Sequence, residues 1–377
     1  MFLPTVVSLL FFSASATVRA TPCVAFDINW NLLAFGLDGK DWNAGTQDTW
    51  TGSGKATDIT TSGRPPFDGA NTTCYLSQAR IFYVNAIYVL NGDSQSPSSI
   101  SIYDATAKSW STQTVTTGSF NPTSFDAILD HDTNLFYALS SNNLFSLDMG
   151  ALKAANGTPL SWVDDEQVPY PSDYQPVMAL AQNHVHFLNV PGVPAGSADI
   201  FVIHYSYFQP QPQAYPLPDG SAFPASYGQA TSFFQDSGVQ QEFAFIPQDS
   251  SAVYVINVET NTTQALAGPT IKDSKATYFA STNSLIQLTS NATVSFLPYQ
   301  EGNTTANSAA TWSIVNILNS AAPPSTSSPS ASQTGPASAT GTGSLSGSPN
   351  PNGALSCTTI HFGLVLTAVL GVMVCIF

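Results

Sequence analysis

The stretch Ile87 to Trp110, IYVLNGDSQSPSSISIYDATAKSW, constrains the chain more than any other. It reads as an apolar strand, an Asn-Gly turn, a second alternating strand ending in Tyr-Asp, a short polar turn, and a Trp that opens a third strand. A module of this kind cannot bury both of its faces alone, so it requires neighbours of the same shape. From Gln78 onward the hydrophobic period is two, and no segment carries an amphipathic helix longer than two turns.

The module recurs. Second strands superpose as Ile87-Tyr-Val-Leu-Asn, Leu135-Phe-Tyr-Ala-Leu, Val185-His-Phe-Leu-Asn, Phe243-Ala-Phe-Ile-Pro and Leu285-Ile-Gln-Leu-Thr. A turn rich in Ser, Asn, Asp, Gly or Pro follows each, then a third strand, and then a fourth marked by Trp110, Trp162, Tyr215, Leu266 or Trp312. The spacing of about 50 residues is in the range of propeller blades. Thr21 to Cys74 is irregular and reads as an incomplete first blade. Together the units imply an all-β propeller of about six four-stranded blades, with seven possible and a pair of β-sandwiches as the competing architecture. Ring closure is expected to pair a strand near Val24 to Ile28 with the last unit near Trp312 to Ile317.

The Ile87 to Trp110 unit resembles the kelch or galactose-oxidase-like propeller superfamily, with Asn91-Gly92 in place of the paired glycine and Tyr103 and Trp110 at the spaced aromatic positions. Later units lack the glycines. The resemblance spans roughly residues 23 to 320 and implies kelch-like blades. Copper-radical oxidases of this superfamily need a Cys beside a Tyr, two His and a second Tyr, which the cysteines here do not supply.

The chain ends surround this domain with processing signals. Residues 1–20 run apolar from Phe2 to Phe12 and then small, with Val18-Arg19-Ala20 before Thr21 as the cleavage site and Ala14-Ser15-Ala16 as the alternative. Residues 21–320 form the propeller, and residues 321–352 are a Ser/Thr/Pro-rich stalk with too few large apolar side chains to fold. Residues 353–377 end in an apolar tail of about 16 residues without Lys or Arg, shorter than the roughly 20 a transmembrane helix needs. That is the layout of a GPI-attachment signal with Asn352 as the acceptor, and of a membrane segment if retained. The layout is similar to that of a fungal cell-surface protein, on the outer face of the plasma membrane or in the cell wall.

Secretion leaves Cys23 and Cys74 as one pair in an oxidising compartment, while Cys357 and Cys375 lie in the tail. Five N-x-Ser/Thr sequons, at Asn71, Asn156, Asn261, Asn291 and Asn303, fall mostly at turns where glycans can attach.

The 377 residues carry a formal charge of −15, and only 9% are charged. Beyond the leader the arginines are Arg64 and Arg80, and no Lys or Arg follows Lys275. Phosphate neutralisation is therefore out of reach, which excludes nucleic acid as a partner. Two arginines also cannot build the three-arginine cluster of sialidases.

Several residues invite a chemical reading beside a plainer one. Asp164-Asp165-Glu166 could take Ca²⁺ or a sugar, against a solvated acidic loop. His184 and His186, two apart on a strand, share a face at about 7 Å. They could bind a metal if His204 or His131 converged, against hydrogen-bonded structural histidines. Tyr205 and Tyr207 could stack on polysaccharide, against packing at an outer strand. Trp30, Trp42 and Trp50 admit the same two readings. Asp27, Asp126, Asp132 and Glu242 are further carboxylates in no diagnostic motif. The best-supported reading is a non-catalytic module that binds cell-wall polysaccharide or a surface protein and needs no cofactor. A carbohydrate-active or lactone hydrolase using Asp/Glu, with or without Ca²⁺, is the alternative.

Overall fold

The computed structural model describes residues 21–77 and 84–319. The leader, the stalk, the GPI signal with Asn352, and Arg80 lie outside the described residues.

The second strands show why the repeat is legible. Ala86–Leu90, Glu242–Pro247 and Ser284–Leu288 are buried at every position. A strand in the middle of a sheet that is packed on both faces has no solvent side, so its sequence is an unbroken apolar run. The polar exceptions, Glu242, Ser284 and Gln287, are satisfied. Gln287 Nε2 donates to Ile271 O at 2.9 Å, and its Oε1 accepts from Ser295 Oγ at 3.0 Å. Glu242 accepts from Asn257 Nδ2 at 2.8 Å, and Ser284 Oγ shares a hydrogen bond with Ser281 Oγ at 2.8 Å. Outer strands such as Thr262–Ala267 instead mix buried and exposed positions.

Six antiparallel sheets follow one another along the chain. Blade 1 runs from Cys23–Phe26 to Thr57–Asp58, blade 2 from Thr73–Ser77 to Ser109–Gln113, and blade 3 from Asp126–Asp130 to Val163–Gln167. Blade 4 runs from Met178–Ala181 to Tyr207–Phe208 and Gln213–Ala214, blade 5 from Gly228–Ser232 to Thr262–Ala267, and blade 6 from Thr277–Ala280 to Ser313–Ile314. The first strand of each blade contacts that of the next, and the sixth contacts the first. The chain is a six-bladed propeller with first strands innermost, and its described α-helices are two short ones, Thr304–Ala309 and Asn316–Asn319. The outer strand of blade 4 is split where Pro210 and Pro212 cannot donate to the ladder.

Residues Ile87 to Trp110 form three strands of blade 2, as their pattern implies. Ile87 pairs with Tyr103 and Tyr103 with Trp110. The Tyr103 and Trp110 ring centroids lie 5.0 Å apart, and each is 5.2 Å from Phe35 of blade 1. Asn91 leaves the second strand at a positive φ of 53°. Opposite it, a Cβ on Gly69 would fall 1.7 Å from Asn91 O, so only glycine fits there.

Two expectations are corrected. Residues 21–74 contain a complete four-stranded blade, with short third and fourth strands at Lys40–Asn43 and Thr57–Asp58. Ring closure shares no strand, because blades 1 and 6 each hold four strands of their own. It proceeds by face packing: one apolar cluster unites Phe26, Phe35 and Trp50 with Leu76 and Ile87 of blade 2 and Phe296 of blade 6. Trp50 is fully buried with its ring 4.9 Å from Phe296, and Trp30 and Trp42 pack against the same cluster. The C-terminal helix adds a backbone latch, Ala56 N donating to Ile317 O at 3.1 Å.

Cys23 and Cys74 form a disulfide between the inner strands of blades 1 and 2, with Cα atoms 5.7 Å apart. It closes a loop of 51 residues, and in the chain-entropy picture a loop of that length stabilises by about 4 kcal/mol. Cys74→Ser is expected to lower the unfolding free energy by about that amount, read from equilibrium urea denaturation. An unchanged midpoint would contradict this role for the bridge.

Candidate functional site

In a propeller, each inner strand turns one hydrogen-bonding edge toward the axis with no further strand to pair it. Here side chains of neighbouring blades cap part of that edge. Asp126 Oδ2 in blade 3 accepts from Met178 N of blade 4 at 3.0 Å, and Tyr75 Oη of blade 2 donates to Ala127 O at 3.2 Å. Ser232 Oγ of blade 5 accepts from Leu180 N at 3.1 Å, and Thr231 Oγ1 accepts from Ala280 N of blade 6 at 3.2 Å. These bonds join matching ends of adjacent strands, so all the inner strands run the same way. The face on which they begin is termed upper, and the other lower.

The axial channel encloses about 1220 Å³. At its upper mouth the wall carries Asp126, Tyr174, Tyr227, Gln229, Gln248 and Lys275. Tyr227 is 39% exposed, a ring presented to solvent at the rim. Tyr174 is buried, and its Oη donates to Leu188 O at 2.7 Å. Asp126 and Lys275 are the acidic and basic side chains among the described lining residues, with His131 at the far end.

Asp126 is the chemically distinctive group. Its surroundings penalise the charged form and push the carboxyl up to about 7, although Met178 N and Ala127 N both donate to it. Near neutrality it therefore samples both an accepting carboxylate and a donating carboxylic acid. Burial raises the Tyr227 phenol, and the nearby Asp126 charge raises it further. In the sequence Asp126 is one carboxylate among several, and Tyr227, Tyr174 and Gln229 stand in no motif that singles them out. Superposing first strands as well as second ones would have placed Asp126 at the start of an inner strand.

The other candidate residues lie apart from this mouth. Asp164, Asp165 and Glu166 sit on the outermost strand of blade 3, not in a loop. Asp164 accepts from Asn143 Nδ2 and Ser119 Oγ, and Asp165 accepts from Ser146 Oγ. His184 lies with its ring 5.4 Å from His204. His186 is buried against Phe243, and that burial pushes its pKa down to about 3. His131 lies at the channel floor, with its ring 4.4 Å from Phe234. Among the described residues no group of three or more His, Cys, Asp or Glu is placed to hold a metal ion. Tyr205 and Tyr207 are 77% and 45% exposed at the outer edge of blade 4.

The remaining carboxylates brace loops. Asp27 Oδ1 accepts from the amides of Asn29 and Asn31, Asp132 accepts from Asn183 Nδ2, and Glu242 accepts from Asn257 Nδ2 and Tyr299 Oη. Of the sequons, Asn71, Asn156, Asn261 and Asn291 are exposed. Asn303 is half-buried and caps the Thr304–Ala309 helix by accepting from Ala306 N.

No family model matches the sequence, and no curated protein matches it. Solved structures do align. The structure of YjhT covers 78% of this chain and 97% of its own at 9% identity, with a TM-score of 0.48. A nidogen/laminin complex covers 66% and 79% at 10% identity, with a TM-score of 0.40.

A carboxyl raised by folding contributes stability that is fully present below its unfolded value of about 4, and that is lost as pH rises through its folded value. For Asp126 that window runs from about 4 to about 7. Asp126→Asn is expected to stabilise the protein relative to wild type at pH 8 by on the order of 2–4 kcal/mol more than at pH 4. Paired thermal melts across this range check it, and parallel curves for the two proteins would contradict the assignment.

Proposed function

We propose that this chain is a secreted, GPI-anchored binding protein whose kelch-like propeller holds a neutral cell-wall glycan in the upper mouth of its channel, without turning it over. The observation that carries the reading is the composition of the mouth. A rim tyrosine offers a flat apolar face of the kind that stacks on a pyranose ring. Beside it, a carboxyl near its titration midpoint, Gln side chains and strand edges supply both donors and acceptors for hydroxyls. One acid and one base among the described lining residues suit an uncharged ligand, and a chain of −15 repels anionic ones. The stalk and tail read from the sequence would tether such a domain to the cell surface. The acidic run and the histidine pair are not needed for this reading, nor is Ca²⁺.

A specific observation favours a second reading, hydrolysis. A carboxyl raised to about 7 is the form a general acid takes. Two-carboxylate glycoside hydrolysis also needs a partner at roughly 5–9.5 Å, and Asp126 is the one carboxyl among the described lining residues.

Both readings meet in one experiment: titration of the full chain with soluble wall polysaccharides, following binding and product release in parallel. The binding reading predicts saturation without new reducing ends, and at least a tenfold loss in affinity, about 1.4 kcal/mol, for Tyr227→Ala. Product release abolished by Asp126→Asn would replace it with the hydrolase. Binding only to a protein partner would refute the glycan assignment.

A further inference from the structure

The channel has a floor. Phe234 of blade 5 lines its lower end together with His131 of blade 3 and Phe279 of blade 6. The Phe234 ring lies 4.4 Å from His131, 5.3 Å from Trp30 of blade 1 and 6.3 Å from Phe279. Blades 1 and 3 are not neighbours of blade 5, so a ring that touches both stands on the axis. Trp30 is held in place at a cost: its φ is +59°, the left-handed region that bulky side chains avoid. The turn persists because Asp27 Oδ1 accepts from Asn29 N at 2.9 Å and Asn31 N at 3.0 Å, and its Oδ2 accepts from Asn31 Nδ2 at 2.9 Å. A strained residue that is over-determined by its surroundings marks a position the fold maintains.

Above this floor the inner strands of four to five residues, at a rise of about 3.3 Å each, give a shaft roughly 15 Å deep. Its volume of about 1220 Å³ exceeds the roughly 300–1,000 Å³ of a small-molecule pocket. The space is too large for one sugar, open above and blocked below, and its walls carry partly capped strand edges that can bond hydroxyls along their length.

We propose that the channel takes a neutral glycan end-on, admitting the terminus of a linear chain several sugars deep and rejecting chain interiors. This rests on the glycan reading of the same mouth and adds the part of the polymer that is read. A chain lying across the rim would reach Tyr227 and Asp126 but leave the shaft unused. A chain entering by its end uses the full depth and stops at Phe234.

The test uses the full chain and neutral gluco- and manno-oligosaccharides of graded length, each in four forms: free, blocked with a bulky group at either end, and blocked at both. End-on entry predicts affinity that rises with length to a plateau. One singly blocked form should bind like the free oligomer, the other at least tenfold more weakly, and the doubly blocked form at least tenfold more weakly. Tyr227→Ala should weaken the free oligomer. Equal binding of the free and doubly blocked forms would overturn end-on entry while leaving a glycan-binding mouth in place. Loss on blocking with no effect of Tyr227→Ala would place the site outside this channel and overturn the proposal. Failure of every oligosaccharide, or binding of peptides only, would overturn both readings.

Discussion

Six inner strands leave six hydrogen-bonding edges facing a common axis, and the molecule depends on how those edges are satisfied. An unpaired edge in an enclosed space costs free energy unless water or a side chain reaches it. Here the caps come from the adjacent blade: Asp126 for Met178 N, Ser232 for Leu180 N, Thr231 for Ala280 N and Tyr75 for Ala127 O. Near the lower face, Asn85 Oδ1 accepts from Ile28 N in the same way. Each bond fixes the radial position of one blade against the next, and together they leave a channel whose wall mixes polar and apolar groups and is nearly uncharged. Asp126 thus serves the architecture and, in the proposed reading, ligand recognition as well.

Between blades the binding is apolar and face to face. Separate clusters fill the wedges from blade 2 to blade 6, and blade 1 joins both of its neighbours in one larger cluster. This explains a ring that closes without exchanging a strand. Trp50, Phe26 and Phe296 supply at the seam the aromatic packing that Phe120 and Trp162 supply between blades 2 and 3. The Cys23–Cys74 bridge reinforces the neighbouring junction covalently.

How much of this was legible follows from where each signal resides. Second strands such as Ile87 to Leu90 and Leu285 to Leu288 are buried on both faces, so their sequences alone placed the blades and the propeller fold. Blade 1 escaped because its outer strands, Lys40–Asn43 and Thr57–Asp58, are short and polar and are separated by a long excursion that buries Trp50. The mouth escaped for another reason. The properties of Asp126 depend on Met178, 52 residues later, and Tyr227 lies in a Pro/Ser-rich connector with no period to read. Conversely, Asp164 to Glu166 and Tyr205 to Tyr207 stood out as local runs, yet the ring sets them on outer edges remote from the axis. Local pattern reports burial; convergence on an axis is a property of the whole circuit.

The most direct test of a ligand held at the upper mouth is amide hydrogen exchange of the full chain, with and without a saturating neutral oligosaccharide. Slowed exchange along the inner strands, from their starts around 124–128, 175–180 and 227–230 down toward the floor at Phe234, is the predicted result. Protection centred on Tyr205 and Tyr207 at the edge of blade 4, or unchanged exchange throughout the inner strands, would contradict the account.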